Sequence, residues 1–165
     1  FAIQTRRQEL SDQNPQLTED KKRVMLREEM KYHNKKLASA AKNAGVETPL
    51  DYAIFQDYGY KGLYGGLGMK DIKVRKGLKK SQNILDHMGS TELAANLFRA
   101  TQTEDKIRRE NIKNKGQASQ IHHDIGKKVR QTIKDIGGTM PENLPTPKES
   151  IKKVEIKIKK LDIEK

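Results

Sequence analysis

The amino-acid sequence predicts a mainly α-helical protein, an irregular multi-helix domain with long amphipathic helices. Apolar residues recur at three- and four-residue spacing over 18–44 and 118–136, as in helices that bury one face. Charged residues make up 34% of the chain and hydrophobic residues 33%, which suits long helices better than a compact sandwich. A third stretch, 51–68, holds five of the eight aromatic residues and five glycines, and predicts an aromatic, glycine-rich loop.

The first long helix is predicted from Thr18 to Ala44. The hydroxyl of Thr18 can accept a hydrogen bond from a free amide of the first turn, and two acidic residues follow it, which suits a helix start. Gly45 is expected to end the helix, with Pro49 just beyond. Residues 1–11 are typical of the end of an earlier helix, which the Asp-Gln-Asn-Pro sequence after them would break.

The stretch 51–68 is predicted to form a short helix through Phe55 and then the glycine-rich loop. Its residues Tyr58, Tyr60 and Tyr64 could stack on unpaired nucleic-acid bases. The alternative is that they pack a small core. We favour it because a chain with so few hydrophobic residues depends on its aromatic side chains for buried apolar area. The glycines do not have the spacing of a phosphate-binding loop.

The next segment, 69–85, is the densest basic run and predicts a helix-loop-helix. Its six cations face only Asp71 and the adjoining Asp86 as acidic neighbours. Either these cations contact phosphates, each adding a salt-dependent increment to the affinity, or they form a solvated face. Together with cations of two later helices they form the candidate nucleic-acid-binding set: Lys70, Lys73, Arg75, Lys76, Lys79, Lys80, Lys106, Arg108, Arg109, Lys127, Lys128 and Arg130.

The central stretch, 87–111, predicts a helix with Ser90 or Thr91 as its N-cap. Three large apolar residues share one helical face and are expected to point into the core: Leu93, Leu97 and Phe98. The second half of the stretch is rich in charge, so we expect it to reach solvent and to offer a surface.

The clearest helical pattern follows at 118–136 and stops at Gly137. The pair His122 and His123 within it raises the possibility of a metal site. Adjacent residues on a helix point about 100° apart, so both cannot bind one ion. Because the chain also has no cysteine, we expect no metal.

The C-terminal part, 139–165, is predicted to be a proline-rich linker followed by a basic, helical tail. Three prolines between 139 and 147 favour an extended backbone. The apolar residues beyond them fit both a helical stripe and the alternation of a strand. We favour a helix because lysine and glutamate dominate the tail.

Composition narrows the possible functions. A formal net charge of +12 favours polyanionic partners, nucleic acid first. The absence of cysteine excludes disulfides and a thiol nucleophile. No apolar run approaches a membrane span and no signal peptide is seen, so we expect a cytoplasmic protein. The expected DNA partner would make it nucleoid-associated. We find no catalytic constellation, and we expect neither enzymatic activity nor a cofactor.

Five segments resemble the bacterial DNA-damage-inducible protein D family, in the same order along the chain. They are FAIQTRRQEL from Phe1, GYKGLYGGL from Gly59, ILDHMGSTELAANLFRATQTEDKIRREN from Ile84, HHDIGKKVRQTI from His122 and GGTMPENLPTP from Gly137. The resemblance covers nearly the whole chain and is weakest over 13–57 and in the last fifteen residues.

The resemblance implies both an organisation and a function. Residues 1–14 would be the end of a Bro-type N-terminal module, related to phage antirepressors. The residues that follow, 15–138, are predicted from their helical patterns to form a helical core domain. The implied function is a non-catalytic role in the DNA-damage (SOS) response, binding DNA or the recombinase filament on single-stranded DNA and modulating recombination. The alternative is a protein-interaction and homo-oligomerisation module of an antirepressor-like regulator, which the long striped helix favours.

Overall fold

The computed structural model describes residues 15–164, so the earlier helix predicted at 1–11 lies outside the described residues. Within them the chain is mainly α, as predicted, and contains no strand. The helices are α1 (Pro15–Asn43), α2 (Pro49–Leu63), α3 (Met69–Lys76), α4 (Ser90–Arg109), α5 (Lys115–Asp135) and α6 (Ile151–Ile163), with 3₁₀ turns at Ile84–His87 and Pro141–Asn143. None of the helices so described is long and apolar enough to cross a membrane.

The boundaries of the first two helices follow from local backbone chemistry. Helix α1 already includes Pro15, so Thr18 lies inside the helix and not at its N-cap as predicted. Gly45 follows the end of α1, as predicted, with a φ of 99° that favours glycine. Helix α2 begins with a capping box, in which Thr48 Oγ1 accepts from the Asp51 amide at 3.0 Å and Asp51 Oδ2 accepts from the Thr48 amide at 3.3 Å.

The predicted aromatic, glycine-rich loop is not confirmed, because α2 continues past Phe55 to Leu63. Two of the glycines, Gly59 and Gly62, lie within this helix and are buried against α5. From the facing helix, a Cβ added to Gly126 would lie 2.8 Å from the carbonyl oxygen of Gly59. The glycines therefore allow two helices to approach closely, and the turn is confined to residues 64–68.

The core has two parts, each packed between several helices. One surrounds Leu63, Met88 and Leu93 and includes residues of α1, α2, α3, α4 and α5. The other surrounds Leu37 and Phe55, where a run of alanines on α1 allows α4 to pack closely. The closest packing partners are α2 with α5 and α1 with α4. This arrangement places α4 and α5 side by side, with one face of each open to solvent.

The C-terminal part packs on the core and does not project from it. Pro141 is buried, and Arg130 forms two hydrogen bonds of 2.7 Å with the carboxylate of Glu142. The tail is helical, as predicted, and forms α6. Ile151 and Val154 on α6 are buried, and the helix contacts α1 and the 3₁₀ turn before α4.

Candidate nucleic-acid interface

The inward face of α4 is largely polar. Its buried residues are Glu92, Leu93, Asn96, Arg99, Ala100, Thr103 and Ile107. The inward orientation predicted for Leu93 is confirmed, whereas that of Phe98 is wrong because its side chain is 52% exposed. Leu97 is only partly buried. The buried polar residues also recur at three- and four-residue spacing. This spacing could have predicted the inward face of α4, which the apolar residues alone do not identify.

A first buried network centres on Glu92. Lys76 Nζ lies 2.8 Å from Glu92 Oε1, and the hydroxyl of Tyr64 donates to Glu92 Oε2. Asn96 Nδ2 donates to the Tyr64 oxygen at 3.0 Å. Burial raises the pKa of Glu92 although Lys76 lowers it, and burial together with Glu92 raises the pKa of Tyr64 well above 10. Lys76, with a side chain 6% exposed, is therefore held in the core and is not available to a phosphate.

A second buried network joins Arg99 to His122. His122 Nδ1 lies 2.8 Å from the carbonyl oxygen of Phe55 and donates to it, so His122 Nε2 accepts from Arg99 Nη1. The guanidinium of Arg99 lies 5.0 Å from the ring centroid of Tyr60, a cation–π contact. Burial and the charge of Arg99 lower the pKa of His122 well below 6.5, so the imidazole is neutral.

The two histidines of the pair differ in burial. His122 is fully buried, and His123 is only partly buried. No three His, Asp or Glu side chains of the described residues are grouped as a metal site requires.

The three tyrosines considered for base stacking differ in exposure. Tyr60 is 6% and Tyr64 is 1% exposed, so neither ring has a face open to a base. This burial fits the packing interpretation. Tyr58 is 38% exposed, and its ring meets His123 edge-on with 6.3 Å between the centroids.

The twelve candidate cations fall into three groups. Five are bound to acceptors within the fold: Lys73, Arg75, Lys76, Arg108 and Arg130. Lys106 pairs with Glu110 at 3.7 Å and Arg109 with Asp105 at 3.2 Å, which are surface pairs of little energetic weight. The remaining five are exposed and have no ion-pair partner within the described part of the chain: Lys70, Lys79, Lys80, Lys127 and Lys128.

An open groove between α4 and α5 brings three candidate cations together around an aromatic ring. It has a volume of about 230 Å³ and is lined by Phe98, Gln102, Lys106 and Arg109 of α4 and by Ile125, Lys128, Val129 and Thr132 of α5. No carboxylate lines it. We call this the α4/α5 groove. An aromatic residue beside several cations is the combination that single-stranded nucleic-acid sites use.

Comparison with known proteins identifies the family. Residues 17–154 match the model of the DinD C-terminal domain. The chain belongs to the DinD family. DNA damage-inducible protein D of Escherichia coli (strain K12) is 64% identical over 161 residues, which cover 96% of this chain and 59% of that protein. The chain thus spans about three-fifths of the length of this curated relative. No solved structure matches the chain.

The matched DinD region contains α2 to α5 completely and nearly all of α1. Both buried networks, the α4/α5 groove and all twelve candidate cations lie within 17–154. The match ends at Val154, which is also a buried residue of α6. The first turn of that helix is therefore part of the DinD C-terminal domain.

Proposed function

We propose that this chain is a non-catalytic part of a DNA-damage-response protein that binds DNA, either bare or coated by a recombinase, and so modulates recombination and repair. Membership of the DinD family supports the damage-response role, because the curated relative is named a DNA damage-inducible protein. The observation that carries the binding is the set of five exposed lysines with no acidic partner in the described residues. Lys70, Lys79 and Lys80 lie in α3 or shortly after it, and Lys127 and Lys128 lie on α5.

The distinction between paired and unpaired cations decides which of them serve a phosphate best. A cation already bound to a carboxylate must give up that contact before it can neutralise a phosphate. An unpaired lysine releases counterions from the nucleic acid without such a loss, and each contact adds about 0.9 to the steepness of the salt dependence on duplex DNA. Five such contacts would give a slope of up to about −4.5.

We propose a non-catalytic function because the groups whose pKa is strongly shifted are buried. The pKa of Tyr64 is raised and that of His122 is lowered mainly by burial, and both side chains lie in the core. Neither lines the α4/α5 groove, and Tyr64, which borders another cavity of about 380 Å³, is only 1% exposed. A general acid or base must reach its substrate, so these shifts reflect packing and not an exposed reaction site.

Salt-titrated binding tests the proposal. Fluorescence anisotropy of labelled DNA would measure the affinity of the chain for single-stranded, double-stranded and recombinase-coated DNA over about 50 to 200 mM salt. The double variant Lys127→Gln/Lys128→Gln should lower the salt slope on duplex DNA by about two units. The matched control Lys22→Gln/Lys31→Gln removes the same charge from exposed positions of α1 and should change the slope far less.

Two results would contradict the proposal. One is the absence of binding to all three probes at low salt. The other is an equal effect of both double variants, because the attraction would then depend only on net charge and not on the lysines of α5.

The second candidate function is a protein-interaction and oligomerisation module, and one surface favours it. Leu50, Ile54 and Tyr58 recur every four residues on the outer side of α2, with exposures of 69%, 44% and 38%. A dimer in sedimentation equilibrium at on the order of tens of micromolar, lost in Ile54→Asp, would support this candidate.

A further inference from the structure

We propose that the α4/α5 groove is a single-strand site, in which Phe98 stacks on an unpaired base while Lys106, Arg109 and Lys128 contact the flanking phosphates. This inference rests on the proposed nucleic-acid binding. It specifies that single-stranded nucleic acid is preferred, and it adds the aromatic residue Phe98 to the candidate cations.

The exposure of Phe98 is the first observation. The ring is 52% exposed, whereas Leu93 and Ile107 on the same helix are almost fully buried. The apolar floor beside the ring is formed by Ile125 and Val129. Solvent-exposed aromatic area contributes nothing to the stability of the isolated fold, but a base laid on it would remove that area from water.

The placement of the cations is the second observation. Phe98, Gln102, Lys106 and Arg109 share one face of α4, because they follow one another by four, four and three residues. At a rise of 1.5 Å per residue, Lys106 lies about 12 Å and Arg109 about 16 Å along the helix from Phe98. Lys128 lines the groove from α5. Along α4 the groove thus has an aromatic end at Phe98 and a cationic end at Lys106 and Arg109, which suits a strand that presents bases and phosphates separately.

Gln102 lies between the two ends of the groove. Its side-chain amide carries both donors and an acceptor, so it can hydrogen-bond the edge of any base. Such a contact fits a site with little sequence preference.

The size and charge of the groove favour a nucleotide strand over other occupants. Its volume of about 230 Å³ is below the roughly 300 to 1,000 Å³ of typical small-molecule sites, so it accommodates a base more readily than a larger ligand. Its lining holds three cations and no carboxylate, which attracts polyanions. Lys106 and Arg109 must exchange their exposed surface pairs with Glu110 and Asp105 for a phosphate, which costs little because such pairs have little energetic weight. In duplex DNA the bases are already stacked on one another, so their faces are not available to Phe98.

A tryptophan reporter tests the stacking directly. The chain has no tryptophan, so Phe98→Trp introduces a single fluorophore in the groove. Its emission should be quenched by oligo-dT, but not by an abasic oligonucleotide of the same length and charge. The matched control is Tyr32→Trp on α1, because Tyr32 is 54% exposed and has Lys36 Nζ at 4.7 Å from its ring centroid. That tryptophan should respond to neither probe.

Affinities of truncated variants provide the second test. Phe98→Ala should weaken binding of oligo-dT by about 5- to 150-fold, the usual range for one aromatic–base stack. Binding of the abasic strand should be unchanged, and Tyr32→Ala should bind both probes as the unchanged chain does. Circular dichroism should show the same helicity for every variant, because both rings are exposed.

The failure of this inference differs from the failure of the proposed function. If Phe98→Ala binds oligo-dT normally while Lys127→Gln/Lys128→Gln binds it weakly, stacking is overturned and nucleic-acid binding stands. If the unchanged chain binds no oligonucleotide, both are overturned. An equal loss of oligo-dT and of poly-glutamate in Phe98→Ala would make the groove a site for acidic peptides and would also overturn stacking.

Discussion

Arg23 Nε donates a hydrogen bond of 2.9 Å to the main-chain carbonyl oxygen of Met88. The Nη2 atom of the same guanidinium donates to the carbonyl oxygens of Asp86 at 3.3 Å and Glu149 at 3.0 Å. Arg23 is 1% exposed. One buried side chain of α1 therefore joins the segment that precedes α4 to the segment that precedes α6.

Replacement of Arg23 should detach these segments from α1. Arg23→Met keeps most of the apolar stem but leaves three carbonyl oxygens without their donor, and each unsatisfied buried group costs about 1 to 3 kcal/mol. We expect the free energy of unfolding in urea to fall by about 3 to 5 kcal/mol, with faster amide hydrogen exchange in α6. Lys22→Met, at an exposed neighbouring position, should cost less than about 0.5 kcal/mol. Unchanged exchange in α6 would contradict the role of the guanidinium.

The glycines between α2 and α5 should not tolerate a methyl group. A Cβ at Gly126 would lie 2.8 Å from both Gly59 O and Leu63 N, which are backbone atoms that cannot move independently. Gly126→Ala should therefore lower the free energy of unfolding by about 3 kcal/mol, at the upper end for an overpacked core. Gly116→Ala on the same helix is the control, since a Cβ there would meet only Asn114 Oδ1, at 3.2 Å. Equal stability of the two variants would mean that the helices can separate without loss.

The ends of several helices were predictable because local backbone chemistry sets them. Gly45 and Gly137 adopt φ values of 99° and 76°, which favour glycine, and both were predicted to follow helices. Gly59 was predicted to lie in a loop for the same reason, yet it lies inside α2. Glycine is needed there because a helix more than sixty residues away in the chain packs against it. A local sequence pattern does not contain that information.

The candidate site was only partly predictable, because a sequence does not show which cations have partners. Lys76 and Lys128 both belong to basic runs, but Lys76 is paired with Glu92 in the core and Lys128 lines an open groove. Likewise, the apolar character of Phe98 predicted burial, while its helix turns Arg99 inward to meet His122. Tertiary contacts decide which side chains are buried or paired, and they override the apolar periodicity of the sequence.

The stability of the chain should depend on pH through His122. Its pKa is lowered well below 6.5 in the folded state, so the unfolded state takes up a proton first as pH falls. This contribution is fully present above about pH 6.5 and is lost below it, by up to about 1.4 kcal/mol per pH unit. His122→Asn can still donate to Phe55 O and should show a smaller loss between roughly pH 6.5 and 5, measured by urea unfolding.

His122→Asn must be compared with the unchanged chain because Glu92 has the opposite effect on the pH dependence of stability. Its pKa is raised, so the folded state binds the proton more readily, and that contribution is lost as pH rises through the folded pKa. His123→Asn is the control for removal of an imidazole at a partly buried position of the same helix. If the unfolding free energies of His122→Asn and the unchanged chain run parallel in pH, the buried imidazole does not control this dependence.

Lys76 should prove to be a structural cation and not a phosphate contact. Lys76→Met leaves the carboxylate of Glu92 buried without its cation, and removal of one partner of a buried pair costs about 3 to 5 kcal/mol. For a chain of this size, the melting temperature should fall by about 6 to 20 °C. The loss should shrink as pH falls, because protonated Glu92 needs no cation. Lys70→Met, at an exposed position of α3, should change stability by less than about 0.5 kcal/mol.

The same variant also separates the two interpretations of the basic run by DNA binding. A phosphate contact would weaken affinity and flatten the salt slope by about one unit while the melting temperature stayed constant. A structural cation gives the reverse result, with DNA affinity retained below the melting transition. The double variant Lys76→Met/Glu92→Leu removes both charges and should recover most of the lost stability, because apolar residues of similar volume often replace a buried ion pair without loss. If it recovers none, the cost lies in packing around Tyr64 and not in an unpaired carboxylate.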